Sequence, residues 1–116
     1  MATTSIDVRE FMREKFFTLT NDEKISRRIE KGAYNFSIEK AENNKILKKW
    51  SNSLFRQIYI NKCRSLYANL KKDSYIKNER LIDRLNENEF KPHELSFMTP
   101  QHIFPEKWKQ LLDEKY

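Results

Sequence analysis

The sequence predicts an all-α protein, a three-helix bundle with additional short C-terminal helices, on three observations. A single glycine and three prolines interrupt the whole chain, far too few for a turn-rich β architecture. Lys, Glu, Leu, Ile, Arg and Asn dominate what remains, a composition that favours helix. Apolar residues recur at helical spacing along three successive segments. At 116 residues the chain fits one domain spanning 1–116, long enough to bury a core without a metal or disulfide scaffold. Although 38 % of residues are hydrophobic against 34 % charged, 8 Phe, 5 Tyr and 2 Trp supply large buried units, so the core should be aromatic-rich.

The first helix is expected to start near Thr4 or Ser5, either of which can cap exposed amides, and to run to about Leu19. Val8, Phe11, Met12, Phe16 and Leu19 then face inward as one broad stripe. Thr20 or Asn21 caps a second helix whose first turn holds Asp22 and Glu23, well placed against the helix dipole. Along it Ile25, Ile29, Gly32, Ala33 and Phe36 share a face, while Tyr34, Ile38 and Ala41 form a second one. A helix covered on two sides is central. Glycine inside a helix costs up to roughly 1 kcal/mol relative to Ala, so Gly32 suggests that another element crosses close to the backbone, with chance as a near-equal alternative.

Glu42 to Lys45 is polar and helix-weak, and after Trp50 the cluster Ser51-Asn52-Ser53 can cap a third helix running to about Lys72. Phe55, Tyr59, Cys63, Leu66 and Leu70 fall along one seam of it, which makes Cys63 a small core residue rather than a reactive thiol. Past Asp73 the elements shorten. A helix is expected around Arg80 to Asn86, Pro92 and Pro100 suit first helical positions, the latter behind a capping Thr99, and a last helix begins at Phe104-Pro105. It runs through Leu111 and Leu112, and Phe104 and Trp108 are expected to pack back on the bundle.

Chemistry is thin. Cys63 is alone, so neither a disulfide within the chain nor a Cys-based zinc site can form. His93 and His102 read as surface or capping histidines. The adjacent carboxylates Asp22-Glu23 and Asp113-Glu114 are expected to be exposed and solvated, with no phosphate loop, nucleophile turn or zinc helix anywhere. Asn35-Phe36-Ser37 matches a glycosylation sequon but reads as a helical coincidence. No apolar run approaches the roughly 18 residues needed to cross a bilayer, and Met1 to Asp7 lacks the features of a signal peptide. The chain is expected to be intracellular, without catalytic, cofactor-binding or metal-binding residues.

Charge is the informative property. Lys and Arg number 23 against 17 Asp and Glu, a net +6, yet Lys45, Lys48, Lys49, Arg56, Lys62, Arg64, Lys71 and Lys72 give +8 between Asn43 and Lys72, where there is no acid. Such a stretch suits an acidic protein face or nucleic acid, and a merely solvated face is the bland alternative. On a helix Arg64 and Lys71 share a face, whereas Lys62 lies on the other flank of the apolar seam. One continuous patch therefore does not follow.

The third helix also carries a pattern. Tyr59, two residues, Lys62, one residue, Arg64-Ser65, three residues, then Asn69-Leu70-Lys71 resembles the central domain of transcription elongation factor TFIIS at every one of those positions. Arg9 to Lys15 is similar to that family's first helix and Ile29 to Tyr34 to its second. Asn78, Leu81 and Met98-Thr99 fit its later segments, so nearly the entire chain is covered. Lys72-Asp73-Ser74-Tyr75 and Phe104 to Trp108 depart from the cellular pattern and are more similar to versions that large DNA viruses encode.

The resemblance implies a three-helix bundle that docks on DNA-dependent RNA polymerase near the jaw and funnel. A following linker leads a zinc ribbon into the secondary channel, where an acidic hairpin helps hold a metal ion for cleavage of backtracked RNA. Ribbon and hairpin lie outside this sequence, so zinc is expected only there, and by analogy this chain binds without cleaving. Lys62, Arg64 and Lys71 match the family's basic positions and are candidates for polymerase contact, with Lys72 added on charge alone. Tyr59, Ser65, Asn69 and Leu70 match too, with scaffold as their bland role. A monomer is implied, in the nucleus or in the host cytoplasm for a cytoplasmic virus, with room for indirect contact with nucleic acid in the elongation complex. Two other readings use the same residues: a free-standing nucleic-acid binder, and a ribbon-less polymerase subunit or inhibitor.

Overall fold

The structure, a computed structural model, describes residues 5–115, and side chains within 8–111. Among the described residues six α-helices form: α1 (Ser5–Thr20), α2 (Glu23–Asn43), α3 (Ser53–Leu70), α4 (Leu81–Asn86), α5 (Pro100–Ile103) and α6 (Pro105–Lys115), with a 3-10 helix at Pro92–Phe97 between α4 and α5. No strand occurs among the described residues. The architecture is the expected all-α bundle of three long helices with short C-terminal ones. No helix among the described residues is long and apolar enough to cross a membrane.

Capping decides the boundaries. Asn21 adopts φ 54°, the left-handed conformation that Asn tolerates, and its amide closes α1 by donating to the Phe17 carbonyl at 2.9 Å. The cap of α2 is Asp22 rather than Thr20 or Asn21: an Asp22 carboxylate oxygen accepts from the Ile25 amide at 3.1 Å. Thr20 is diverted, its hydroxyl sitting 2.6 Å from that of Ser26. Asn52 caps α3, accepting from the Leu54 amide at 3.1 Å. This helix stops at Leu70, short of Lys72, because Lys71 turns to an extended conformation, φ −78°, ψ 114°. Thr99 caps α5, accepting from the His102 amide at 3.2 Å. The caps considered for α1 lie outside what is described, Thr4 wholly and Ser5 in its side chain.

Helix α2 is central, packed against α1, α3 and the 3-10 helix. Gly32 is what lets the last of these approach: a Cβ there would stand 2.5 Å from the carbonyl oxygen of His93, closer than unbonded atoms come. The close crossing suggested by Gly32 is present. His93 itself is exposed, and its backbone, not its imidazole, makes the contact.

Tyr59, Cys63, Leu66 and Leu70 of α3 join Phe16, Ile29 and Ala33 in one core cluster, to which the C-terminal segments add Leu81, Leu85, Phe90 and Leu95. Phe55 completes the buried α3 seam. Phe11, expected inward, is instead 53 % exposed. The stripe of α1 is anchored on Phe16, and Phe11 emerges on its edge, where α1 and α3 meet less closely than either meets α2. Phe104 and Trp108 are half-buried and Leu111 is exposed; α6 packs chiefly on α5. Leu112, Asp113 and Glu114 have side chains outside the described set.

Two polar groups lash the short elements down. The buried Asn78 amide donates to the Ile103 carbonyl at 3.0 Å and to Asn69 Oδ1 at 3.4 Å. Arg84 donates to the His102 carbonyl at 3.0 Å and pairs with Glu89 at 2.8 Å.

Candidate docking surface

Tyr59, which opens the α3 pattern, points inward. Its hydroxyl donates to Glu30 Oε2 at 2.7 Å, and Glu30 also takes Arg9 at 2.8 Å and Arg13 at 3.1 Å. Glu30 is fully buried, a position a carboxylate tolerates only when paired and hydrogen-bonded. Motif residues from all three long helices thus converge on one acid. Arg9 also lies 4.0 Å over the Tyr34 ring, which stacks on Trp50 at 6.1 Å. Burial lifts the Tyr59 phenol far above its ordinary value and pushes the Cys63 thiol up to about 12. These groups are scaffold, and Cys63 is buried as a core residue. Asn69 secures the end of α3 by donating from its side chain to the Ser65 carbonyl at 2.8 Å. Ser37 of the apparent sequon is buried and donates to the Ala33 carbonyl at 2.8 Å.

The four candidate cations divide between surfaces. Lys62 is half-buried, its ammonium 4.1 Å from the Phe36 ring centre, and burial, then the charge of Lys40, lowers its pKa from the usual lysine value. Lys72 is bound to Asp83 of α4 at 2.9 Å. Arg64 is exposed and pairs with no carboxylate among the described residues. Lys71 lies on Arg64's side of α3, its ammonium 5.9 Å from the Tyr67 ring. Arg64 and Lys71 are thus linked through Tyr67, which lines one groove with Arg64 and lies under the Lys71 ammonium, whereas Lys62 is folded over Phe36. Elsewhere in the basic stretch, Lys48 pairs with Glu42 at 2.5 Å and Arg56 donates to the Trp50 carbonyl at 2.8 Å.

Beside Arg64 runs a groove of about 840 Å³ between α1 and α3, which Phe11, Lys15 and Tyr67 also line. Lys15 leans across it, 5.6 Å from the Phe11 ring and 5.9 Å from that of Tyr67. Sequence reasoning missed these residues. The signal was there: Ile60, Arg64, Tyr67 and Lys71 recur at helical spacing beside the buried seam. Among the described residues no three His, Cys, Asp or Glu cluster in a way that could hold a metal ion.

The model of the family described as "Transcription factor S-II (TFIIS), central domain" matches residues 3–116. Comparison with curated proteins finds no match, and neither does comparison with solved structures.

Proposed function

Because the chain belongs to the family of the central domain of transcription factor S-II (TFIIS), we propose that it is the polymerase-docking domain of a TFIIS-like elongation factor. One helical unit, 1–116, holds on to DNA-dependent RNA polymerase and raises the local concentration of a zinc ribbon at the channel where backtracked RNA is cleaved. It docks and does not itself catalyse. The observation that carries this reading is Arg64, exposed and free of any carboxylate among the described residues, in the family's arginine position on the outward side of α3. Lys71 supports it from the same side. Lys62 and Lys72 contribute less, the first folded against Phe36 and the second already neutralised by Asp83. The domain works where its polymerase works, in the nucleus or, for a cytoplasmic DNA virus, in the host cytoplasm.

The test is capture of polymerase from an extract of the source cells on the immobilised chain. Arg64→Glu with Lys71→Glu should abolish capture while the circular dichroism spectrum and Tm stay put, both side chains lying outside the core. Full capture by that double variant would sink the reading. Capture should also weaken as salt rises, because exposed charges more than about 10 Å apart are screened at 0.1 M.

A further inference from the structure

We propose that the groove between α1 and α3 is the seat for an acidic segment of the polymerase that carries a large apolar side chain. This rests on the docking reading above and adds the chemistry of what is gripped. The groove's volume of about 840 Å³ lies within the roughly 300–1,000 Å³ of clefts that enclose ligands. Its walls are Val8 and Met12 from α1 and Ile60 and Tyr67 from α3. Phe11 and Tyr75 also line it and are 53 % and 86 % exposed. Large apolar surface left open in this way marks an interaction site when polar groups rim it.

The rim is cationic throughout. Lys15 and Arg64 line the groove, the Lys71 ammonium stands 5.9 Å from the Tyr67 ring, and no Asp or Glu lines it among the described residues. Lys15, Arg64 and Lys71 are also without carboxylate partners among those residues. An apolar side chain entering between α1 and α3 and flanked by carboxylates satisfies walls and rim together. Single-stranded nucleic acid fits worse. Bases need flat aromatic platforms along an extended cationic track, whereas here Lys15 and Arg64 flank one depression in which Val8, Met12, Ile60 and Ala68 are mixed among the rings.

Fluorescence anisotropy of a labelled peptide of about twelve residues tests this directly, the peptide rich in Asp and Glu with Phe and Leu four residues apart so that both fall on one helical face. It should bind the chain at low salt, while a peptide with Ser for Phe and Leu, and another with Lys for the acids, should each bind at least about tenfold more weakly. Phe11→Ser and Arg64→Glu, both exposed changes whose folding is checked by Tm, should each cost about tenfold. Leu54→Ser, an exposed position on α3 outside the groove, should stay within about twofold. Peptide binding indifferent to Phe11→Ser and Arg64→Glu overturns the proposal. So does oligouridylate that binds as tightly as the acidic peptide, or a dimer in sedimentation that Phe11→Ser dissolves. Polymerase capture distinguishes the two readings. Phe11→Ser that loses the peptide but captures polymerase normally rejects the groove and spares the docking reading. A wild-type chain that binds the peptide in the groove but captures no polymerase rejects the docking reading and, with it, the polymerase as the source of the segment, while the groove's preference for acidic peptides with apolar side chains stands.

Discussion

The Tyr59 hydroxyl donates to Glu30 Oε2 at 2.7 Å inside the bundle, joining the first position of the α3 pattern to the fully buried carboxylate of α2. Two guanidiniums of α1 complete that carboxylate's pairing, so a single acid fastens three helices. Removing its charge leaves Arg9 and Arg13 partly buried and unmatched. Glu30→Gln should therefore cost about 3 kcal/mol, a fall in Tm of roughly 10 °C for a chain of this size. Tyr59→Phe leaves both arginines in place and should cost about 1 kcal/mol. Thermal melts rank the two, and a Glu30→Gln variant as stable as wild type would show that the node does not hold the bundle.

Gly32→Ala is expected to destabilise although alanine is the better helix former. Helix propensity favours Ala by up to about 1 kcal/mol. Against it, the added methyl carbon meets the His93 carbonyl oxygen at 2.5 Å and the His93 Cα at 3.1 Å. These are backbone atoms of the 3-10 helix, which cannot rotate away as a side chain could. Overpacking of that kind costs about 1–3 kcal/mol. A net loss of stability in urea titration, with protection from hydrogen exchange falling first across 92–97, is the expected result. A gain in stability would mean that the 3-10 helix can lift freely.

Alkaline pH should weaken the fold from inside. Burial pushes the Cys63 thiol up to about 12, whereas an unfolded cysteine titrates near 8.5. The folded value is raised, so this group's contribution is fully present below about 8.5 and is lost as pH climbs towards 12, at roughly 1 kcal/mol per pH unit. The buried Tyr59 phenol, also raised, acts in the same direction above about 10. Tm should hold between pH 7 and 8 and fall beyond about 9. Iodoacetamide should label Cys63 slowly at pH 8 in buffer and fast in denaturant. Rapid labelling of the folded chain contradicts the burial on which the pH effect depends.

What could be read from the sequence follows the range of the interaction. The seam from Phe55 to Leu70 was legible because burial repeats with the period of the helix, and Gly32 because an unfavourable residue inside a helix asks for a neighbour. That Lys62 and Arg64 flank opposite sides of the seam follows from two residues at 100° each. The convergence of Arg9, Glu30 and Tyr59 was not legible. Each lay in a recognisable stretch, but only packing brings residues 21 and 29 positions apart onto one carboxylate. Phe11 fitted the apolar period of α1 and is open all the same, since periodicity marks a stripe without saying how far the neighbouring helix reaches across it. The pairing of Lys72 with Asp83 depended on where α4 folds back, which no local pattern encodes.

That pairing predicts a ranking of the cations in the proposed polymerase docking. Lys72 and Asp83 are held at 2.9 Å with about half of each side chain exposed, 54 % and 52 %, so the pair contributes at most about 1 kcal/mol to stability. Its effect on docking should be smaller still, because an acidic partner meets a lysine whose charge is already answered by a neighbouring carboxylate. Arg64 presents a full charge beside the groove. Lys72→Ala should leave polymerase capture nearly intact and lower Tm by no more than roughly 4 °C, whereas Arg64→Ala should weaken capture strongly at unchanged Tm. Asp83→Ala supplies the converse: it frees Lys72 and should strengthen capture slightly at low salt, an increase that disappears as screening grows. Capture measured for the three variants at two salt concentrations decides the ranking, and greater damage from Lys72→Ala than from Arg64→Ala reverses it.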